Sequence, residues 1–358
     1  MNRRQFISAA TAAGLTAALG DWERLFAMGR TDPSVGQALA AWEKGQFQVH
    51  FIYTGAAESM FLIFPDGTSM LLDCGQQDTA SLGVRAVPCL PDRSRLAGEW
   101  IARYVKRVNP RGREVDYMML SHYHTDHAGC ETIYSYEEDT LPYRLSGFGE
   151  AARYLQFGKA FDRCWPDYTY PVPLQDDNKR VMSQMRKFYE YQASRGGMSV
   201  ERFQVGATDQ VRLLHRPAAY PDFHIRNLCG NGSIAAPDGT LIDLYPDYKR
   251  KGSHIPENAL SLGMIIQYGP FRYFTAGDFS ARRKRENGTV FEIETELARV
   301  VEPCPVSKLN HHGHKSMPPE LVAALRSRVW INSTWNQNSF EGGHVVLTVE
   351  KGGGTYSP

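Results

Sequence analysis

Four residues able to bind metal fall within six positions in the run Ser121-His122-Tyr123-His124-Thr125-Asp126-His127-Ala128-Gly129. The pattern is H-x-H-x-D-H. In an extended stretch, side chains two apart point the same way, so His122 and His124 can meet one cation. Asp126 and His127 lie beyond the turn and can face a second. Neutral imidazole and carboxylate together suit Zn²⁺, and also Fe or Mn. With 11 histidines in 358 residues, such spacing is improbable by chance. A metal centre is therefore expected here rather than a polar loop.

Two later segments end in similar chemistry. Ala276-Gly277-Asp278 follows an apolar run, and so does Asn310-His311-His312-Gly313-His314. Asp278 alone also reads as a turn or helix-capping residue. His215, His224 and His344 are candidates to complete a coordination set. The alternative is a structural histidine or, for His344, the first residue of a strand.

These residues need elements to carry them. Residues 47–53, 59–64 and 69–73 read as a β-meander, broken by Thr54-Gly55 and Pro65-Asp66-Gly67. Residues 96–108 have helical spacing, with Leu96, Trp100, Tyr104 and Val108 on one face, and Asn109-Pro110 ends them. Residues 115–120 form a short apolar strand that delivers the chain straight into Ser121-His122. Further strands are expected at 210–214, 240–244, 260–268, 272–275, 305–309, 328–332 and 344–350, and helices at 179–192 and 318–325. The aromatic-rich stretch at about 132–206 departs from this rhythm. It reads as an insertion capping the site, or as a satellite cluster under a long connection.

The ordered motifs resemble the metallo-β-lactamase superfamily, and within it the competence-protein (ComEC-type) branch. Gly55-Ala56-Ala57-Glu58-Ser59 stands where that branch shows Gly-Gln-Gly-Asp-Ser. Asn258-Ala259-Leu260-Ser261-Leu262, Thr275-Ala276-Gly277-Asp278 and His311-His312-Gly313 are similar to its later motifs. The resemblance covers most of residues 46–350. It implies an αββα sandwich of two mixed sheets, and two divalent metal ions, Zn before Mn or Fe. The implied ligands are His122, His124, Asp126, His127, Asp278 and His312, with Asp278 as bridge. Asp73 would support the His loop from behind. Asp126 would orient the attacking water, and His311 would contact substrate; the order of His311 and His312 stays open. The implied function is a hydrolase using metal-activated water on a phosphodiester or related ester. The alternatives are an acyl hydrolase of β-lactamase or lactonase type, and a non-hydrolytic di-iron or metal-binding relative.

The rest of the chain narrows the setting. Arg3-Arg4-Gln5-Phe6 precedes a short apolar stretch, which resembles a twin-arginine export signal across residues 1–30. A periplasmic or secreted protein is expected, handled by the twin-arginine machinery, with no transmembrane segment in its mature form. A net charge of +1 argues against a general nucleic-acid-binding face, so a small-molecule or phosphoester substrate is expected. The one basic run, Arg282-Arg283-Lys284-Arg285, reads as a solvated face. None of the six cysteines forms a C-x-x-C pair, and mostly buried free thiols are expected. There is no G-x-S-x-G elbow and no phosphate-binding P-loop, and Gly352-Gly353-Gly354 reads as a flexible tail.

Overall fold

A strand that is apolar on both faces needs cover on both sides. In the computed structural model, β1 (Phe47–Phe51), β2 (Met60–Ile63) and β3 (Ser69–Leu72) are wholly buried. The structure describes residues 39–76, 89–92, 94–129, 140–173, 178–284, 288–333, 345–350 and 353–357. The expected export signal therefore lies outside the described residues. Ala41–Tyr356 forms one unit.

The chain continues through α1 (Ala97–Val108), β4 (Glu114–Met119), α2 (Thr125–Ala128), α3 (Phe148–Ala151), β5 (Gln156–Asp162), α4 (Lys179–Ser194) and β6 (Ser199–Arg202). Next come β7 (Phe223–Gly230), β8 (Ser233–Ala235), β9 (Leu241–Asp243), α5 (Pro246–Lys251), β10 (Gly263–Tyr268) and β11 (Phe271–Thr275). The last elements are β12 (Arg282–Lys284), β13 (Val290–Glu292), α6 (Ile293–Leu297), β14 (Val306–Lys308), α7 (Pro319–Leu325), β15 (Val329–Ile331), β16 (Val345–Glu350) and β17 (Gly353–Ser357).

Two large mixed sheets result. The first runs β17-β16-β1-β2-β3-β4-β5-β6, and the second β15-β14-β11-β10-β7-β8-β9. Strands β3 to β6 are parallel, as are β11, β14 and β15. Alternation divides the side chains between faces. Phe47, Val49, Met60, Leu62, Met70 and Leu72 meet Ile225, Met264 and Ile266 between the sheets. Phe61, Ile63 and Leu71 face outward against Ile101 and Val105 of α1 and Phe188 of α4. On the far side, Ile265 and Phe274 pack against Leu297 of α6 and Leu321 and Leu325 of α7. The expected αββα order of layers is present.

Four details differ from the expectations. The stretch at about 132–206 supplies β5 and β6, which extend the parallel part of the first sheet, and α4, which covers its outer face. It builds a layer of the sandwich. Strand β7, central to the second sheet, was not anticipated, because His224, Arg226 and Asn227 interrupt its apolar pattern. Residues 210–214 form no strand, although Val211 and Leu213 fill the inter-sheet core. The expected glycine tail gives way to edge strand β17.

The basic run is a hairpin strand whose Arg283 bonds Asp247 and stacks on Tyr245 and Tyr248. Arg285 lies outside the described residues. Cys74, Cys89, Cys164, Cys229 and Cys304 are free thiols, and all but Cys89 are buried. Among the described residues no helix is long and apolar enough to cross a membrane.

Candidate metal centre

Strands β3, β4, β11 and β14 end at one edge of the sandwich and hand over there to Asp73, Ser121-His122, Gly277-Asp278 and Asn310-His311-His312. The connection from β1 to β2 brings Glu58 to the same edge. Its peptide N–H donates to the Asp126 carbonyl at 2.8 Å, and its carbonyl accepts from Gly75 at 2.9 Å. Gly75 is obligatory here, since a Cβ would lie 1.7 Å from the Asp126 carbonyl oxygen. Backbone strain gathers at the same place: Asp73, His311 and His312 have φ of 59°, 46° and 51°. Such conformations persist only where surrounding structure enforces them, and they cluster at functional sites.

The side chains converge. His122 Nε2 lies 2.9 Å from His124 Nδ1, and His127 Nε2 lies 3.4 Å from His312 Nε2. Asp278 reaches both pairs. Its Oδ1 is 3.2 Å from His127 Nε2, and its Oδ2 is 3.3 Å from His312 Nε2 and 3.9 Å from His122 Nε2. Asp126 Oδ2 is 3.2 Å from His312 Nε2. Two groups of donor atoms have all members within 4.8 Å of one another: Glu58, His127, Asp278 and His312, and separately His122, His124 and Asp278. All are buried except His124, which is half-buried.

Asp73 organises the imidazoles from behind. Its carboxylate accepts from the Ser121 N–H at 2.7 Å and the Ser121 hydroxyl at 2.8 Å, and from His127 Nδ1 at 2.7 Å. Ser121 Oγ has given its own proton to Asp73, so it accepts from His122 Nδ1 at 3.0 Å. With Nδ1 donating in both rings, Nε2 of His122 and of His127 is the atom that faces the centre, where a cation would take the place of a proton. A further buried pair fixes the loop backbone. Glu257 accepts the Tyr123 N–H at 2.8 Å and is clamped by Arg163.

Charge is concentrated here. Burial opposes protonation of His127, but Asp278, Asp73 and Asp126 overcome it and hold its pKa well above the ordinary histidine range. Burial is likewise outweighed at His312, which Asp278 and Asp126 push up to about 10. The converse holds for the acids. Against burial, the imidazoles keep Asp278 well below the usual carboxylate range and bring Asp126 down to about 2. Burial, then the positive charge of His127 and His124, pushes His122 down. Carboxylates that draw positive charge onto two buried imidazoles, with facing ring nitrogens a few ångströms apart, fit divalent cations.

The structure brings together His122, His124, Asp126, His127, Asp278 and His312, with Asp73 behind them. Of the adjacent histidines, His312 joins the donors, and its Nδ1 lies 2.7 Å from the Ser333 carbonyl. His311 stays half-buried at the rim with its Nδ1 3.2 Å from Ser280 Oγ. Neither His215 nor His224 reaches the centre: His215 pairs with Asp116 at 3.1 Å, and His224 is exposed on β7. His344 lies outside the described residues. Sequence reasoning missed Glu58 and its partner Lys308, whose Nζ lies 3.0 Å from Glu58 Oε2. The available signal was a carboxylate before Ser59 where the similar branch shows Asp-Ser.

The model of the metallo-beta-lactamase superfamily matches residues 53–130, which include β1's exit loop, β2 to β4 and the H-x-H-x-D-H run. No curated protein matches the chain. Among solved structures, CmlA, a diiron β-hydroxylase from Streptomyces venezuelae, is 12% identical, with 82% of this chain and 45% of that one covered and a TM-score of 0.38. Zn²⁺-bound PqqB from Methylobacterium extorquens is 12% identical, with 79% and 87% covered and a TM-score of 0.34. The short form of human tRNase Z is 11% identical, with 80% and 92% covered and a TM-score of 0.34. The chain spans about half the length of the two CmlA structures it matches, 53% and 45%. These scores are low, and the fold assignment rests on the layers and sheet order together with the family match. Both support the metallo-β-lactamase sandwich.

Proposed function

We propose that this chain is a hydrolase that uses two divalent cations and water to cleave a phosphodiester or related ester. The observation that carries this reading is Asp278, which belongs to both donor groups. His122, His124 and Asp278 would hold one cation, and Asp126, His127, His312 and Asp278 the other. Bound there, the pair supplies Lewis acidity toward water and the substrate oxygens and neutralises charge that develops during in-line displacement. Zn²⁺ leads, with Mn²⁺ and Fe²⁺ next.

The chain's own groups fill the remaining roles. Asp126 is ionised and 8% exposed, which suits it to accept a hydrogen bond from the attacking water. His311 is half-buried at the rim, and burial lowers its pKa. A neutral imidazole there can contact a substrate oxygen and shuttle a proton to the leaving group. Asp73 and Glu257 hold the His loop rigid. A donor set of imidazoles and carboxylates also suits iron, so metal identity separates the hydrolase from a redox reading. We also propose export by the twin-arginine route, on the strength of Arg3-Arg4 and the apolar stretch after it.

The test is elemental analysis of protein purified without added metal, together with a bis-(p-nitrophenyl)phosphate assay. The expected result is about two Zn or Mn per chain with cleavage, both lost in His122→Ala and in Asp278→Ala while the chain stays folded. Full occupancy and turnover in both variants would refute the site. Two irons without cleavage would replace the hydrolase by the redox reading.

A further inference from the structure

The two halves of the centre are unequal. The His122 side offers two ring nitrogens and the shared Asp278. The His127 side offers two ring nitrogens, Asp126, Asp278 and the unforeseen Glu58. Glu58 is 1% exposed. Its Oε2 pairs with the Lys308 ammonium at 3.0 Å and approaches His312 Nδ1 at 3.6 Å, and both carboxylate oxygens are buried without a hydrogen bond.

Lys308 is itself 0% exposed and donates to the carbonyls of Gly277 and Leu309 at 3.1 and 2.9 Å. It thus ties Glu58 to the two turns that carry Asp278 and His312. A buried ion pair is weak evidence for stability, because desolvating both charges offsets their attraction. A carboxylate whose oxygens are both buried without a hydrogen bond, and which offers one of them within 4.8 Å of donor atoms of His127, Asp278 and His312, has another use. A carboxylate there turns the His127 side from a mixed donor set into an oxygen-rich one. Oxygen-rich sets favour harder, more highly coordinated cations.

We propose that Glu58 is a third carboxylate ligand on the His127 side, held in position by Lys308, and that it makes that side selective for Mn²⁺ or Fe²⁺ relative to the His122 side. The proposal rests on the two-metal reading above and adds a difference between its two positions.

The experiment is titration of the metal-stripped full chain with Mn²⁺ and, separately, Zn²⁺, followed by competition with a chromophoric chelator. The unsubstituted chain should show two separable Mn²⁺ steps. Glu58→Gln should weaken one of them by about tenfold or more, in line with the loss of a ligand-level interaction, and leave the Zn²⁺ affinity of the other position unchanged. Lys308→Met, stripped and titrated in the same way, should weaken this step by less than Glu58→Gln does, because the ligand remains although its tether is lost. The double variant E58Q/K308M carries no unpaired buried charge and should reproduce the Glu58→Gln titration. Two Mn²⁺ steps in Glu58→Gln identical to those of the unsubstituted chain would overturn the proposal. So would a Lys308→Met titration as weak as that of Glu58→Gln, since Glu58 would then act only through its ion pair. Absence of any metal step in the unsubstituted chain would overturn the two-metal reading itself. Two equal steps lost together in Glu58→Gln would leave that reading standing and remove the selectivity.

Discussion

Asp73→Asn replaces one carboxylate oxygen by an amide nitrogen and should disable both halves of the centre. The carboxylate accepts three short hydrogen bonds, from Ser121 N, Ser121 Oγ and His127 Nδ1. All of these groups are 0% exposed, so none can turn to water. The amide oxygen of the substituted side chain can still accept the Ser121 N–H. Its NH₂, however, is a donor facing Ser121 Oγ and His127 Nδ1. His127 must then carry its proton on Nε2, the atom that faces Asp278 at 3.2 Å. Ser121 Oγ, no longer able to donate to residue 73, turns its proton to His122 Nδ1 and reverses that tautomer too. The left-handed backbone at position 73 (φ 59°) is equally open to asparagine, so the backbone is not what changes.

Loss of such a supporting partner costs about 10- to 100-fold in metal affinity, or about 1.4 to 2.7 kcal/mol. Exchanging charge-assisted for neutral or repulsive contacts costs about 2 to 4 kcal/mol of folding stability. Chelator competition and chemical denaturation of the metal-stripped chain measure the two effects separately. A variant with unchanged metal affinity would show that Asp73 does not set the imidazole tautomers, and the account of how the centre is aimed would fail.

Two further outcomes follow from the same reasoning. Glu294 is fully buried, accepts from Asn310 and Met317, and is raised by burial from 4.5 to about 7. An acid with a raised folded pKa keeps its proton in the fold while the unfolded chain releases it. Its contribution to stability therefore falls as pH rises from about 4.5 to about 7, by roughly 3 kcal/mol. Glu294→Gln should flatten that part of the stability profile in urea titrations, and an unchanged slope would contradict the assignment. For export, replacing Arg3 and Arg4 by Lys should trap the full chain in the cytoplasm on cell fractionation; unimpaired release would remove the twin-arginine proposal.

Legibility followed how local the information was. The H-x-H-x-D-H run was readable because its donors are neighbours along one loop and the preceding strand is a short apolar block. Asp278 and the His311-His312 pair were readable through the same feature, a strand that runs into polar ligands. Strand β7 escaped because its outward-facing residues are His224 and Arg226, and periodicity counts only the apolar half of such a strand. The aromatic stretch misled because β5 contains Gly158 and Lys159 and is recognised as a strand mainly by its pairing with β4 and β6. His215 and His224 had the right chemistry, but β4's far end and β7's exposed face took them elsewhere.

By itself, then, the sequence determined the kinds of donor and their grouping into three clusters at strand ends, and through its resemblance to the metallo-β-lactamase superfamily it implied the layered architecture. Only the tertiary structure decided that His312 and not His311 meets the other donors, that Asp278 lies within reach of both histidine pairs, and that Glu58 joins them from the β1–β2 connection and Lys308 from the end of β14. The reason is physical. Strand periodicity and ligand spacing are properties of a few consecutive residues, whereas the meeting of Glu58, Asp278 and Lys308 depends on two sheets packed face to face, whose relative placement is set by the whole core.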